Sequence, residues 1–196
     1  MIAYNKITRQ LTEVEHSWML KPPEDWVANP LIADHAALLA VTTDQWVYDE
    51  DTTVLRPMTA LELETDPVRL ANAKRERTAS MNHASQREIV GGFWSSAMGT
   101  PYWYDSTQED QLNMTSALLA SAPSAGYPNG ISLFYAFRTT MSGLKEYAPH
   151  NYLQLRQIAV DGTMARTTSL QRFHAKRQQI ELATTVSDVN LVTWEV

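Results

Sequence analysis

A chain of 196 residues is long enough for one sizeable domain, or for a small domain joined to a helical one. It carries 22 acidic against 16 basic residues, a formal charge of −6, and its Lys and Arg form no stripe beyond Lys74-Arg75-Glu76-Arg77 and Lys176-Arg177, which argues against nucleic-acid binding. There are no cysteines, which excludes disulfides, thiolate nucleophiles and Cys-ligated zinc; hydrophobic residues at 44 % speak against wholesale disorder, and charged residues at only 19 % fit a surface partly covered by partners.

In chain order, the first ~60 residues read as short strands and turns. Ile2–Ile7 alternates as a short strand. Lys21-Pro22-Pro23-Glu24-Asp25 and Asn29-Pro30 are turn signals. Ile32–Leu39 is expected to form one or two helical turns with Asp34 near their start. Trp46-Val47-Tyr48 and Thr53-Val54-Leu55 read as a hairpin about Asp49-Glu50-Asp51, stopped by Pro57.

Near residue 66 the pattern changes. Asp66 as N-cap and Pro67 at the first helical position open a helix of ~25 residues, with Leu70, Ala73, Ala84 and Ile89 as a narrow apolar stripe, and Gly91-Gly92 close it. Gly99-Thr100-Pro101 turns the chain into the aromatic run Tyr102-Trp103-Tyr104, where a strand puts Trp103 opposite its neighbours. Asp105 and Thr107, the latter with Asp110, start a second helix containing Leu112, Met114, Leu118 and Leu119, which ends at Pro123. Asn113 in that helix is placed to bond to a strand backbone. Ser121–Gly130 reads as a loop and Ile131–Phe137 as a buried strand. A helix from about Pro149 to Val160 follows, Asp161-Gly162 breaks it, and another runs from about Thr163 to Ala183 with Leu170, Phe173 and Ile180 inward. The tail Val189–Val196 is β-prone. Since a lone short strand is not stable in water, the two ends are expected to pair, and at least one of them with another subunit.

The fold class is therefore α+β. A β-rich attachment module is expected at 1–60, a connecting helix at 66–90, a helical domain with a small β element at 91–185, and a β-prone tail at 186–196.

The chemistry-bearing residues form no recognisable catalytic or metal set. His16, His35, His83, His150 and His174 show no paired ligand spacing, so they read as surface or satisfied histidines. Asp105, Glu109 and Asp110 lack the alternating spacing and glycine of a calcium loop, and they flank a helix start that favours anions. There is no G-x-S-x-G, phosphate loop or dinucleotide fingerprint. Catalytic residues, metal ligands and cofactors are all expected to be none. The N-terminus lacks the apolar core of a signal peptide and no apolar run reaches ~20 residues, so no membrane insertion is expected. The aromatics Phe93, Trp94, Tyr102, Trp103, Tyr104 and Trp194 divide between core and interface; Asp66, Pro67, Gly91, Gly92, Gly99, Pro101, Asp105, Thr107 and Gly162 read as turns and caps.

A family pattern runs through these segments. It comprises the Arg-rich helix, GGFWSSAMGTPYWYDSTQEDQLNMTSALLAS, FYAFRTT, PHNYLQLRQIAVDG and LQRFHAKRQQIELATT. Over Lys74–Thr185 the chain resembles the family of unknown function numbered 4376, common in tailed-phage genomes, with Met98 and Met114 where Leu is common. The resemblance implies a non-enzymatic structural part of a phage tail, in the fibre and baseplate region. Such a protein would be made in the host cytoplasm, reside in the virion, and be multimeric beside other tail, fibre or baseplate proteins. His35–Leu39, the strand WVYDE and Leu55-Arg56-Pro57 resemble the middle of tail-fibre assembly chaperones, which leaves a chaperone absent from the virion as an alternative. A receptor- or carbohydrate-binding module using exposed aromatics is a further one.

Overall fold

The computed structural model describes residues 2–13, 24, 26–28, 30–32, 34–123, 127 and 130–194. Most of the turn signal at 21–25, Asn29, parts of the loop at 121–130 and the last two residues lie outside them. The fold is mixed α+β. It divides into two compact units, Met1–Arg75 with Ala183–Leu191, and Glu76–Leu182 with Val192–Val196.

In the first unit, β1 (Ile2–Asn5) lies between β2 (Leu11–Glu13) and β3 (Trp26–Ala28), antiparallel to both. A second sheet runs in the order β4 (Leu31–Ile32), β6 (Val54–Pro57), β5 (Trp46–Asp49), with β6 parallel to β4 and antiparallel to β5. The turn after β5 is made by the Asp49 carboxylate, which accepts the N–H groups of Asp51 and Thr52. Between β4 and β5 in the chain comes α1 (His35–Leu39), capped by Asp34, whose carboxylate accepts the Ala37 N–H.

Tyr4, Leu38, Trp46 and Leu55 form the core of this unit. Both polar aromatics in it are satisfied: Tyr4 Oη donates to the Trp46 carbonyl at 3.1 Å, and Trp46 Nε1 donates to the Leu38 carbonyl at 2.9 Å. Helix α2 (Ala60–Thr65) begins with a capping box between Thr59 and Glu62, and Arg56 hydrogen-bonds to the same glutamate, holding its carboxyl down at about 2.

Helix α3 (Pro67–Gly91) starts at Asp66, whose Oδ1 accepts the Arg69 N–H at 2.9 Å. The other oxygen pairs with the buried guanidinium of Arg9. As far as Arg75, α3 groups with the first unit; beyond it, with the second.

The second unit holds β7 (Phe93–Ser95) and β8 (Tyr102–Tyr104), paired antiparallel, then α4 (Gln108–Ser121). Next come β9 (Leu133–Phe137) and β10 (Glu146–His150), also antiparallel, and α5 (Tyr152–Leu182). A bridge between Trp103 and Arg138 joins β8 to the end of β9. Tyr104, Phe137, Leu155 and Ile158 form its core, with Met114, Leu118 and Tyr135 packed around them.

Several expectations need correction. Asp161-Gly162 does not break a helix: α5 is continuous for 31 residues. Glycine is there for another reason. A Cβ at position 162 would meet the Phe93 ring at 2.7 Å, so α5 can cross β7 only where a side chain is missing. Pro149 lies in β10, and the helix starts at Tyr152. Leu170 is exposed while Ser169 is buried; Ile180 is inward. In α3 the buried residues are Met81, Ala84 and Ser85, so the stripe is shifted from the expected one. Ile131–Phe137 is buried on one face only, because Phe134 is 73 % exposed.

At the C-terminal end Val186–Leu191 is helical (α6), not β-prone chain, and its Val189 is fully buried in the first unit. At the other end β1 pairs on both sides within its own chain. β1 thus finds both of its strand neighbours within its own chain, and Val186–Leu191 is a helix that needs no strand partner.

Candidate functional site

The segment 91–114 supplies many of the second unit's polar contacts among the described residues. Gly92, at φ +126°, turns the chain out of α3 in a conformation that favours glycine, and a Cβ there would strike the Trp103 ring and the Tyr104 carbonyl at 2.6 Å. Gly91 remains helical. Gly99, at φ +96°, closes the turn before exposed Pro101 by donating its N–H to the Ser96 carbonyl.

The β7–β8 pleat then sorts the aromatics. Tyr104 is fully buried, stacks at 6.0 Å on Phe93, and lies in the core with Tyr102 nearby. Trp103 points the other way and meets Trp94 edge-on at 5.5 Å, leaving Trp94 44 % exposed. Of the expected interface aromatics, Trp94 is thus the one with a large free face in this segment. Trp194 lies over the Arg172 guanidinium, 5.4 Å from its ring centre. Arg172 in turn pairs with Glu88, and Glu88 also accepts from Ser169 Oγ. Ser169 and Ser85 meet at 3.1 Å, small side chains that let α3 and α5 approach closely.

His150 is fully buried. Its Nδ1 lies 2.8 Å from the Ala148 carbonyl, an acceptor only, so Nδ1 carries the proton. Nε2 is then left to accept from Tyr104 Oη at 3.0 Å. The rings of Tyr104 and Tyr135 meet the imidazole edge-on. Burial pushes the histidine's pKa down and that of the Tyr104 hydroxyl up.

Asp105 is not a helix cap. Thr107 occupies that role: its Oγ1 accepts the Asp110 N–H, and its own N–H donates to the Asp110 carboxylate. Asp105 instead receives a forked pair of bonds from Arg138, with Lys145 at 3.0 Å bridging it to Asp110. The Arg138 guanidinium holds the Asp105 carboxyl below its usual range. Asn113 is exposed; the bond tying α4 to β9 runs from Tyr135 Oη to the Asp110 carbonyl. Arg138 and Lys145 stand far from the acidic cluster in sequence, which is why charge patterning missed them.

A polar groove of about 780 Å³ opens where β7 meets the start of α5. Among its lining residues, Asp161 accepts from Ser95 Oγ at 2.5 Å and from Gln157 Nε2 at 2.7 Å. Among the described residues, no group of three or more His, Asp or Glu is gathered as a metal ion would need. No helix among the described residues is long and apolar enough to cross a membrane.

Residues 72–193 match the domain of unknown function DUF4376, and the chain belongs to that family. No curated protein and no solved structure matches the chain.

Proposed function

We propose that this member of the family is a non-enzymatic structural component of a bacteriophage tail, in the fibre and baseplate region, where it joins neighbouring subunits. The observation that carries the reading is the distribution of apolar side chains. Among the described residues, large hydrophobics left exposed outnumber those fully buried. In the second unit they include Leu112 and Leu119 on α4, Phe134 and Tyr147 on β9 and β10, and Leu153, Val160 and Met164 on α5. Single exposed apolar residues are ordinary on a monomer, but Phe134 and Tyr147 share the outer face of one two-stranded sheet, and such patches mark surfaces that partners cover. The phage context comes from the likeness of the 91–114 motif to tail-associated sequences. The polar residues of that motif agree with a structural part, since Asp105 pairs with Arg138, Asp110 with Lys145, and the Tyr104 hydroxyl with His150.

Mass spectrometry of purified phage particles tests the proposal. Stoichiometric presence with tail proteins is expected. Absence from particles, with expression in infected cells, would replace it with the assembly-chaperone reading.

A further inference from the structure

The groove above Asp161 has a chemistry that a buried subunit contact does not call for. On one side the Trp94 indole presents its exposed part, held in place by the edge-on Trp103. The amides of Gln154 and Gln157 line it, and Pro101 and Ser95 complete it. The Gln154 carbonyl oxygen is occupied by the Asn151 N–H, which leaves its NH₂ group as donor.

Asp161 sits among neutral donors. Ser95 bonds to Oδ2 and Gln157 to Oδ1, and no cationic side chain among the described residues forms an ion pair with it. A carboxylate oxygen has two lone-pair directions, so each oxygen keeps acceptor capacity for a further donor. The site therefore offers a rigid aromatic surface, a carboxylate fixed in orientation from both sides, and amide groups that both donate and accept.

Two ligand chemistries use an indole beside a carboxylate: a cation, and a sugar ring with vicinal hydroxyls. An ammonium or guanidinium has only donors and makes no use of the Gln154 NH₂. Hydroxyls are donors and acceptors at once, so they match the mixed lining, and the volume admits more than one ring. We propose that this groove binds a neutral saccharide, with the C–H face of one ring on Trp94 and adjacent hydroxyls on Asp161 and Gln157. The proposal is independent of the place of the chain in a tail.

The test is calorimetric titration of the full chain with neutral oligosaccharides of glucose, galactose, mannose and N-acetylglucosamine, and with tetramethylammonium as the cationic comparison. Saturable binding of at least one oligosaccharide is expected. Asp161→Asn and Trp94→Ala should each weaken it by about tenfold or more, the scale of one hydrogen bond to a charged group, with circular dichroism unchanged. Should Asp161→Asn misfold, Gln157→Ala takes its place. Failure of every oligosaccharide to bind overturns the proposal. So does saturation by tetramethylammonium alone, or oligosaccharide binding that survives both the Trp94 and the Asp161 (or Gln157) replacements.

Discussion

His150 is committed to one tautomer by the Ala148 carbonyl on one side and the Tyr104 hydroxyl on the other. Protonating Nε2 would put a proton where the Tyr104 O–H now points, inside a cluster of aromatic rings. Because its folded pKa lies below the ordinary 6.5, the unfolded chain takes up the proton first on acidification. The stability contributed by the neutral ring is therefore complete above about pH 6.5 and declines as the pH falls through the lower folded value. Chemical denaturation between pH 8 and 5 should show that decline in the wild type and a shallower one in His150→Leu. At pH 8 the same variant should be less stable by about 1–3 kcal/mol, since it leaves the Tyr104 hydroxyl buried without its acceptor. Equal stability at pH 8 would place that hydroxyl in contact with water. None of this was legible in the sequence beyond the expectation of a surface or satisfied histidine, because Tyr104 is 46 residues away in another strand and the Ala148 carbonyl is aimed only by the backbone of β10.

At the scale of elements, signals that act over three or four residues were readable. Asp34, Asp66 and Thr107 each cap a helix, and the hairpin about Asp49 has the expected strands. Signals whose meaning depends on a distant neighbour were not. Gly162 looks like a breaker in isolation, yet it is a helical residue whose missing side chain makes room for Phe93. The two adjacent glycines at the end of α3 look alike in sequence but differ in the fold. Gly91 has nothing within 4 Å of an added Cβ, whereas Gly92 combines a positive φ with two close contacts. Gly91→Ala should leave the melting temperature unchanged or raise it slightly, in line with helix propensity. Gly92→Ala should destabilise by more than about 1 kcal/mol. Equal effects of the two substitutions would mean that the helix ends elsewhere.

For the whole molecule, the chain divides into two compact units, neither of them continuous in sequence. The first unit takes back residues 183–191, with Val189 fully buried and the Ser187 N–H bonded to Glu64 at 2.8 Å. A β-prone composition did not reveal this, since burial against a distant helix overrides such local preference. Val189→Asp should therefore reduce hydrogen-exchange protection at Tyr4 and Leu55 while leaving Leu155 and Ile158 protected, because it introduces an unpaired charge at a closed position of one unit only. Loss of protection at all four would show that the units unfold together. The same return of the chain bears on synthesis. Ribosomes add about 5–20 residues per second and domains ordinarily fold in the order they emerge. Here the sheets of the first unit leave the exit tunnel well before Val189, with residues 76–182 of the second unit translated in between. That unit is therefore completed only after the main part of the second has been made, and during elongation its nascent strands stand open to capture by a cellular chaperone.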